Sequence, residues 1–189
     1  MRKFERPQLR RPQKENLLTT IRRAMLAQVS GDVIELGGGG GQSAPYFPLD
    51  RVTSLTIVDR RFFPGVREHD FDQVPVNFVL QTKDKLPLDN SSFDFGCLFF
   101  ALSSMRDPYC ALCELRRLLR PGGQVQFLDF YRPRGPAGFV FDGANLLRKV
   151  TMRGSINRNI ISMLEVSGFQ VETITRCGHI FACGSAKKL

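Results

Sequence analysis

Residues 33–47 read VIELGGGGGQSAPYF, five consecutive glycines set directly behind a strand-like apolar run. A linker of that composition normally sits between polar spacers, and this one does not. Between a strand and a following helix, a turn without Cβ atoms lets the backbone come close to a ligand. Glu35, Gly37, Gly39 and Gly41 give the spacing E-x-G-x-G-x-G, with Gly38 inside it. A short helix from Gln42 to about Phe47 would aim its free N–H groups at the same place. The glycines alone leave the ligand open. Gly39-x-Gly41-x-x-Ala44 also satisfies the dinucleotide fingerprint, and Asp59, closing the next apolar run, suits the ribose hydroxyls of either kind of cofactor.

Five short apolar runs set the architecture: 33–36, 55–58, 77–80, 95–99 and 124–130. They are continuous rather than alternating, which predicts strands buried on both faces and therefore a parallel sheet. Asp107-Pro108 starts a helix over 107–119 whose Ala111, Leu112, Leu115, Leu118 and Leu119 share one side, and Pro121-Gly122-Gly123 breaks the chain before the fifth strand. Another helix is predicted over 14–28, with Leu17, Leu18, Ile21, Met25 and Leu26 inward. After the second strand, RRFFPG at 60–65 cuts a helix short. Toward the C-terminus Ser155 caps a helix reaching 166, Gly168 ends it, and 169–176 and 179–186 flank Cys177-Gly178 as a hairpin. The expected fold is α/β: a Rossmann-like open sheet of parallel strands, a C-terminal antiparallel hairpin, and helices on both faces. A basic arm, 1–13, interrupted by Pro7 and Pro12, precedes one domain over 14–189.

Charge is unevenly placed. Residues 1–32 carry eight basic and three acidic side chains and 132–189 carry nine and three, whereas 33–131 hold ten basic and twelve acidic ones. The net charge of +9 therefore belongs to the two ends. It suits a phosphate-rich partner, either RNA in an assembly or an anionic membrane surface. No apolar run approaches the about 20 residues needed to span a bilayer. Five cysteines, an odd number in a chain of ordinary size, fit a reducing compartment. The expected location is intracellular, cytoplasmic or in the mitochondrial matrix. Arg2, Lys3, Arg6, Arg10 and Arg11 are similar to part of a transit peptide, while Glu5 and Glu15 are not. Cys110-Ala-Leu-Cys113 falls inside a predicted helix without a second close pair, so no metal site is expected.

Three further features accompany E-x-G-x-G-x-G: LPLDNSSFD at 86–94, ELRRLLRPGG at 114–123, and the terminal hairpin. Together they resemble the class I S-adenosylmethionine-dependent methyltransferases, in particular the ubiquinone/menaquinone-biosynthesis-like group, over about residues 30–186. FDGANL at 141–146 and GHIFACGSAK at 178–187 look like the C-terminal motifs of a branch that methylates small thiols and is related to phospholipid methyltransferases.

The resemblance implies S-adenosylmethionine as cofactor and a small or lipid-like acceptor. An RNA- or ribosome-associated protein on the same fold is the alternative. By this likeness Glu35 supports the glycine loop and the methionine amino group, Gly37, Gly38, Gly39 and Gly41 line the cofactor, and Asp59 holds the ribose with Arg60 beside it. Thr82 stands at the usual adenine-binding acid, followed by Lys83 and Asp84, of which Asp84 can substitute. Phe99 and Phe100 meet the methionine moiety. An activated methyl sulfonium mainly needs its nucleophile held in line, so no catalytic side chain has to announce itself. Asp129, Tyr131, Asp142 and His179 are the candidates near the expected substrate mouth. Ser103-Ser104 replace a His-containing pair common in the family.

Overall fold

The computed structural model describes residues 16–133, 136–151, 154–177 and 180–189. The basic arm and the hairpin turn with His179 lie outside them. Helix α1 (Leu17–Leu26) leads into β1 (Gly31–Leu36), β2 (Val52–Asp59), the single turn α2 (Pro64–Arg67), β3 (Val76–Leu80) and β4 (Phe93–Phe99). Then follow α3 (Ala101–Ser104), α4 (Pro108–Leu118), β5 (Leu119–Phe130), α5 (Pro136–Thr151), α6 (Ile160–Val166), β6 (Phe169–Cys177) and β7 (Phe181–Lys188). The strands form one sheet in the order β3-β2-β1-β4-β5-β7-β6. β7 runs antiparallel to both β5 and β6, and the other pairs are parallel.

Continuous apolar strands are explained by two cores. Ile34, Leu36, Val58, Leu98 and Phe127 face one side, where they meet Leu112 and Leu115 of α4 and Ile160 and Leu164 of α6. Val33, Leu55, Ile57, Cys97 and Leu128 face the other, against Met25 and Leu26 of α1. With a period of two, each strand needs apolar residues at every position to fill both. α1 buries Met25 and Leu26 and packs Leu18 and Ile21 on the core as expected, but Leu17 is exposed, and Thr19 and Arg22 are buried with the apolar face.

The two polar motifs at 86–94 and 114–123 clasp one another. Glu114 Oε1 accepts from the Leu86 amide at 2.7 Å, and Arg117 donates to the Leu88 and Leu86 carbonyls at 2.9 and 3.2 Å. Arg120 bridges Asp94 and Asp32 at 2.6 and 2.9 Å. Pro121-Gly122-Gly123 does not precede the fifth strand but bulges within it: Phe93 opposes Leu119, and Phe95 already opposes Gln124.

Two expectations need correction. α6 is capped by Asn159, whose side chain accepts from the Ser162 amide at 3.3 Å, not by Ser155. Ser155 is buried earlier in the chain, its amide given to the Ser103 carbonyl at 2.8 Å and its hydroxyl shared with Asn145 and Asn157. Its hydroxyl is engaged by these two side chains, and the helix starts only at Ile160, so Asn159 supplies the capping oxygen. α5 has no counterpart in the sequence reading, because Pro136, Gly138 and Gly143 mask its periodicity. Gly168 does end α6, at φ +83°.

Candidate cofactor site

The strand order reverses direction between β1 and β4, and in open α/β sheets ligands settle at the carboxyl ends of strands at such a point. The glycine run leaves β1 there. It enters and exits through left-handed residues, Gly37 at φ +81° and Gly41 at +69°, around a 3-10 turn over Gly38–Gly40. The Gly37 amide donates to the Val58 carbonyl at 2.8 Å, which ties the loop to β2. Two of the glycines are demanded by the carboxylates beneath them. A Cβ on Gly38 would stand 2.3 Å from Glu35 Oε2, and one on Gly39 would stand 2.7 Å from Asp59 Cγ. The expected short helix after the loop is a single 3-10 turn, Ala44–Tyr46.

Asp59, half-buried, accepts from the Gly39 amide through Oδ2 at 2.9 Å and from the Arg61 amide through Oδ1 at 3.1 Å. Each oxygen keeps a lone pair for an incoming hydroxyl. Next to Asp59, Arg60 opens a cleft of about 400 Å³ lined also by Gln81, Asp84, Met105, Arg106, Asp107 and Cys110. Arg60 and Asp84 are thus brought together. Thr82 and Lys83 are exposed and do not line it.

Glu35 is buried under the loop, and burial lifts its carboxyl to about 7. A hydrogen bond from Ser43 and the Arg22 cation oppose the rise, while the Asp59 charge adds to it. Arg22 is the functional candidate that the sequence reading missed. It comes from α1, is only 7% exposed, and its guanidinium lies 5.7 Å from the Phe99 ring centre. It donates to Gln42 at 3.4 Å, yet its Nε has no partner. Burial lowers its pKa from the ordinary arginine value. The signal lay in one arginine interrupting an apolar helix face.

Phe99 is buried at the end of β4, and Phe100 after it holds a left-handed backbone, φ +57°. Its ring meets Phe130 at 5.4 Å and Phe181 at 5.6 Å, and Phe130 meets Phe141 at 6.4 Å. All four rings are half-buried and form one aromatic cluster at the carboxyl ends of β4 and β5. Around it the acid–base candidates are engaged. Asp129 is fully buried, accepts from the Ser103 and Phe130 amides at 3.0 and 2.7 Å, and is raised by that burial. Arg132 grips Asp142 at 2.7 Å and holds its carboxyl below the ordinary range. Arg176 donates to the Tyr131 hydroxyl at 3.2 Å and lies over its ring. His179 lies outside the described residues.

A glycine turn closed to a Cβ at Gly38 and Gly39, a carboxylate with spare lone pairs at the end of β2, and a buried guanidinium whose Nε lacks a hydrogen-bond partner make a candidate nucleoside-cofactor site on an open α/β sheet. Residues 34–127 match the family described as Methyltransferase domain. The ubiquinone/menaquinone biosynthesis C-methyltransferase UbiE of Hahella chejuensis is 38% identical over 117 residues, 58% of this chain and 47% of that protein. The demethylmenaquinone methyltransferase of Chlamydia pneumoniae is 27% identical over 114 residues, 58% of this chain and 50% of that one. The chain spans about half the length of these curated relatives. A solved S-adenosylmethionine-dependent methyltransferase from Mesorhizobium loti shares the fold at a TM-score of 0.69, with 18% identity over 92% of this chain and 98% of that one. The chain belongs to the class I S-adenosylmethionine-dependent methyltransferases, in the ubiquinone/menaquinone-biosynthesis-like group. S-adenosylmethionine is accordingly its cofactor.

Proposed function

We propose that this protein transfers a methyl group from S-adenosylmethionine to a small, lipid-like acceptor of quinone type. The glycine loop packed on Asp59 and Glu35 at the strand-order reversal carries the reading. Bound there, the cofactor supplies an activated methyl on sulfur. Asp59 accepts from the ribose hydroxyls, and Arg60, Gln81 and Asp84 surround the adenine side in the cleft. Glu35 and Arg22 face the methionine end with opposite charges, matched to an amino and a carboxylate group. Phe99 and Phe100 bound the sulfur side, and the aromatic cluster receives a flat apolar acceptor. Holding such an acceptor in line contributes most of the acceleration, and a base is needed only where the acceptor arrives protonated. The relatives named above include quinone-biosynthesis C-methyltransferases, which supports the quinone class. None of them is named for RNA, and the aromatic cluster offers RNA phosphates nothing.

Calorimetric titration with S-adenosylhomocysteine tests the cofactor assignment. Saturable heat together with a raised melting temperature is expected, and neither at millimolar ligand would sink it. Asp59→Ala should weaken binding by about a hundredfold, since hydrogen bonds to a charged group contribute about 1.5–3 kcal/mol. The far-ultraviolet spectrum should stay unchanged. Incubation with a demethylated quinol then reads the acceptor class by mass.

A further inference from the structure

We propose that Cys177 and Cys183 are a redox-active dithiol, which a low-molecular-weight disulfide of the glutathione type converts into a reversible disulfide stapling the end of the β6–β7 hairpin. The sheet itself brings the two sulfurs together. β6 and β7 pair antiparallel, with Thr175 opposite Cys183 and Cys177 opposite Phe181. Residues two apart on a strand share a face, so Cys177 and Cys183 are diagonal neighbours on one face of the hairpin. Both are free thiols, and their Sγ atoms stand 2.8 Å apart. About 0.8 Å of approach separates them from a disulfide bond of about 2.05 Å. Both side chains are buried, and burial together with the Cys177 sulfur pushes the Cys183 thiol up to about 12, so it keeps its proton at neutral pH. The other cysteines are placed differently: Cys97 is buried in the core, and Cys110 and Cys113 are exposed on α4.

The exchange balances. The Cys177 thiolate attacks one sulfur of the small disulfide, and the first glutathione leaves as a thiolate that takes up the proton Cys177 gave up. The Cys183 thiolate then attacks the Cys177 sulfur of the mixed disulfide, and the second glutathione leaves in the same way. The protein loses two electrons and two protons, and the small disulfide gains both. Two features favour this end of the sheet. β6 is an edge strand, and Cys177 is its last residue, so local opening there reaches the thiol without disturbing the parallel core. The second step is intramolecular, between sulfurs that the ladder already holds together, which gives it a high effective concentration. Phe181, opposite Cys177, packs against Phe100 and Phe130 with ring centres at 5.6 and 5.2 Å. The disulfide therefore pins the strand end that carries one ring of the aromatic cluster. The dithiol chemistry does not rest on the methyltransferase reading.

Equilibration of the full chain with millimolar mixtures of reduced and oxidised glutathione, followed by alkylation of the remaining thiols and peptide mass mapping, tests this. Peptides linked through Cys177 and Cys183 are expected to exceed glutathione adducts at either residue by at least about tenfold, and dithiothreitol should release the link. Closing the loop over residues 177–183 should raise the melting temperature of the oxidised wild-type protein by roughly 5–9 °C over the reduced one. Cys177→Ala and Cys183→Ala cannot close that loop and should show no rise on oxidation, although Cys110 and Cys113 remain. Thiols at 177 and 183 that stay fully alkylatable in oxidised glutathione alone would overturn the proposal. So would glutathione adducts there without the link, or the same rise on oxidation in both variants.

Discussion

Gly39→Ala lowers the melting temperature by roughly 6–12 °C, while Gly40→Ala, one residue on, leaves it unchanged or slightly raised. The contrast follows from what each new methyl meets. At Gly39 it would stand 2.1 Å from the Arg61 carbonyl oxygen and 2.7 Å from Asp59 Cβ. The loop cannot back away, because the Gly39 amide is bonded to Asp59 and its carbonyl accepts from the Phe63 amide at 2.9 Å. Overpacking against backbone held on both sides costs about 3 kcal/mol, which at this chain length corresponds to the stated drop. At Gly40 the nearest atom is Gln42 Cγ, 4.0 Å away, and the backbone is outside the left-handed region. Alanine there restricts the unfolded chain and costs nothing in the folded one, a gain of up to about 1 kcal/mol. Cofactor affinity should divide the two variants in the same sense. Thermal unfolding and titration of both proteins check it, and equal behaviour would show that the loop does not lean on β2 as described.

The parallel core was legible because strands buried on both faces must be apolar throughout, and four glycines beside Glu35 and Asp59 left few other readings. The hairpin was legible from its turn, since β6 and β7 fall within a few residues of the expected strands. α5 was hidden for the opposite reason. Periodicity reveals a helix by the contrast between a buried apolar face and a wet polar one, and here Phe139, Val140 and Leu146 are exposed while Asp142 and Asn145 point inward. Ser155 looked like a helix cap because the residue type is right; only the fold shows that its hydroxyl is taken by the Asn145 and Asn157 side chains. Arg22 shows the same limit within the site. Its helix is read correctly as amphipathic, but whether a lone arginine on such a face snorkels to water or is trapped over Glu35 depends on Gln42 and Phe99, which reach it only through the fold. In the FDGANL segment, the structure gives Asp142 and Asn145 anchoring duties toward Arg132 and Ile156.

Raising the pH from 4.5 to above 7 costs the wild-type protein about 3 kcal/mol of stability that Glu35→Gln retains. Glu35 is buried, and that burial moves its carboxyl from the ordinary 4.5 to about 7. Below 4.5 the group is protonated in both folded and unfolded chains, and the raised folded value contributes its full stability. Between 4.5 and 7 only the folded protein still binds the proton, so stability falls with each step in pH. Above 7 the carboxylate is charged in both states, and the loss is complete. Glutamine mimics the protonated form at every pH, so the two proteins should match near pH 4.5 and diverge to a plateau by about pH 8. Urea unfolding across that range reads the difference directly, and a flat difference would mean that Glu35 is not a desolvated carboxyl. In the proposed binding mode the same group faces the methionine end of the cofactor. An amino cation placed above the loop favours the ionised carboxylate, so wild-type affinity for S-adenosylhomocysteine should rise as pH passes 7, with a proton released on binding. In Glu35→Gln neither the rise nor the proton should remain, because the residue that exchanges charge with the ligand is gone.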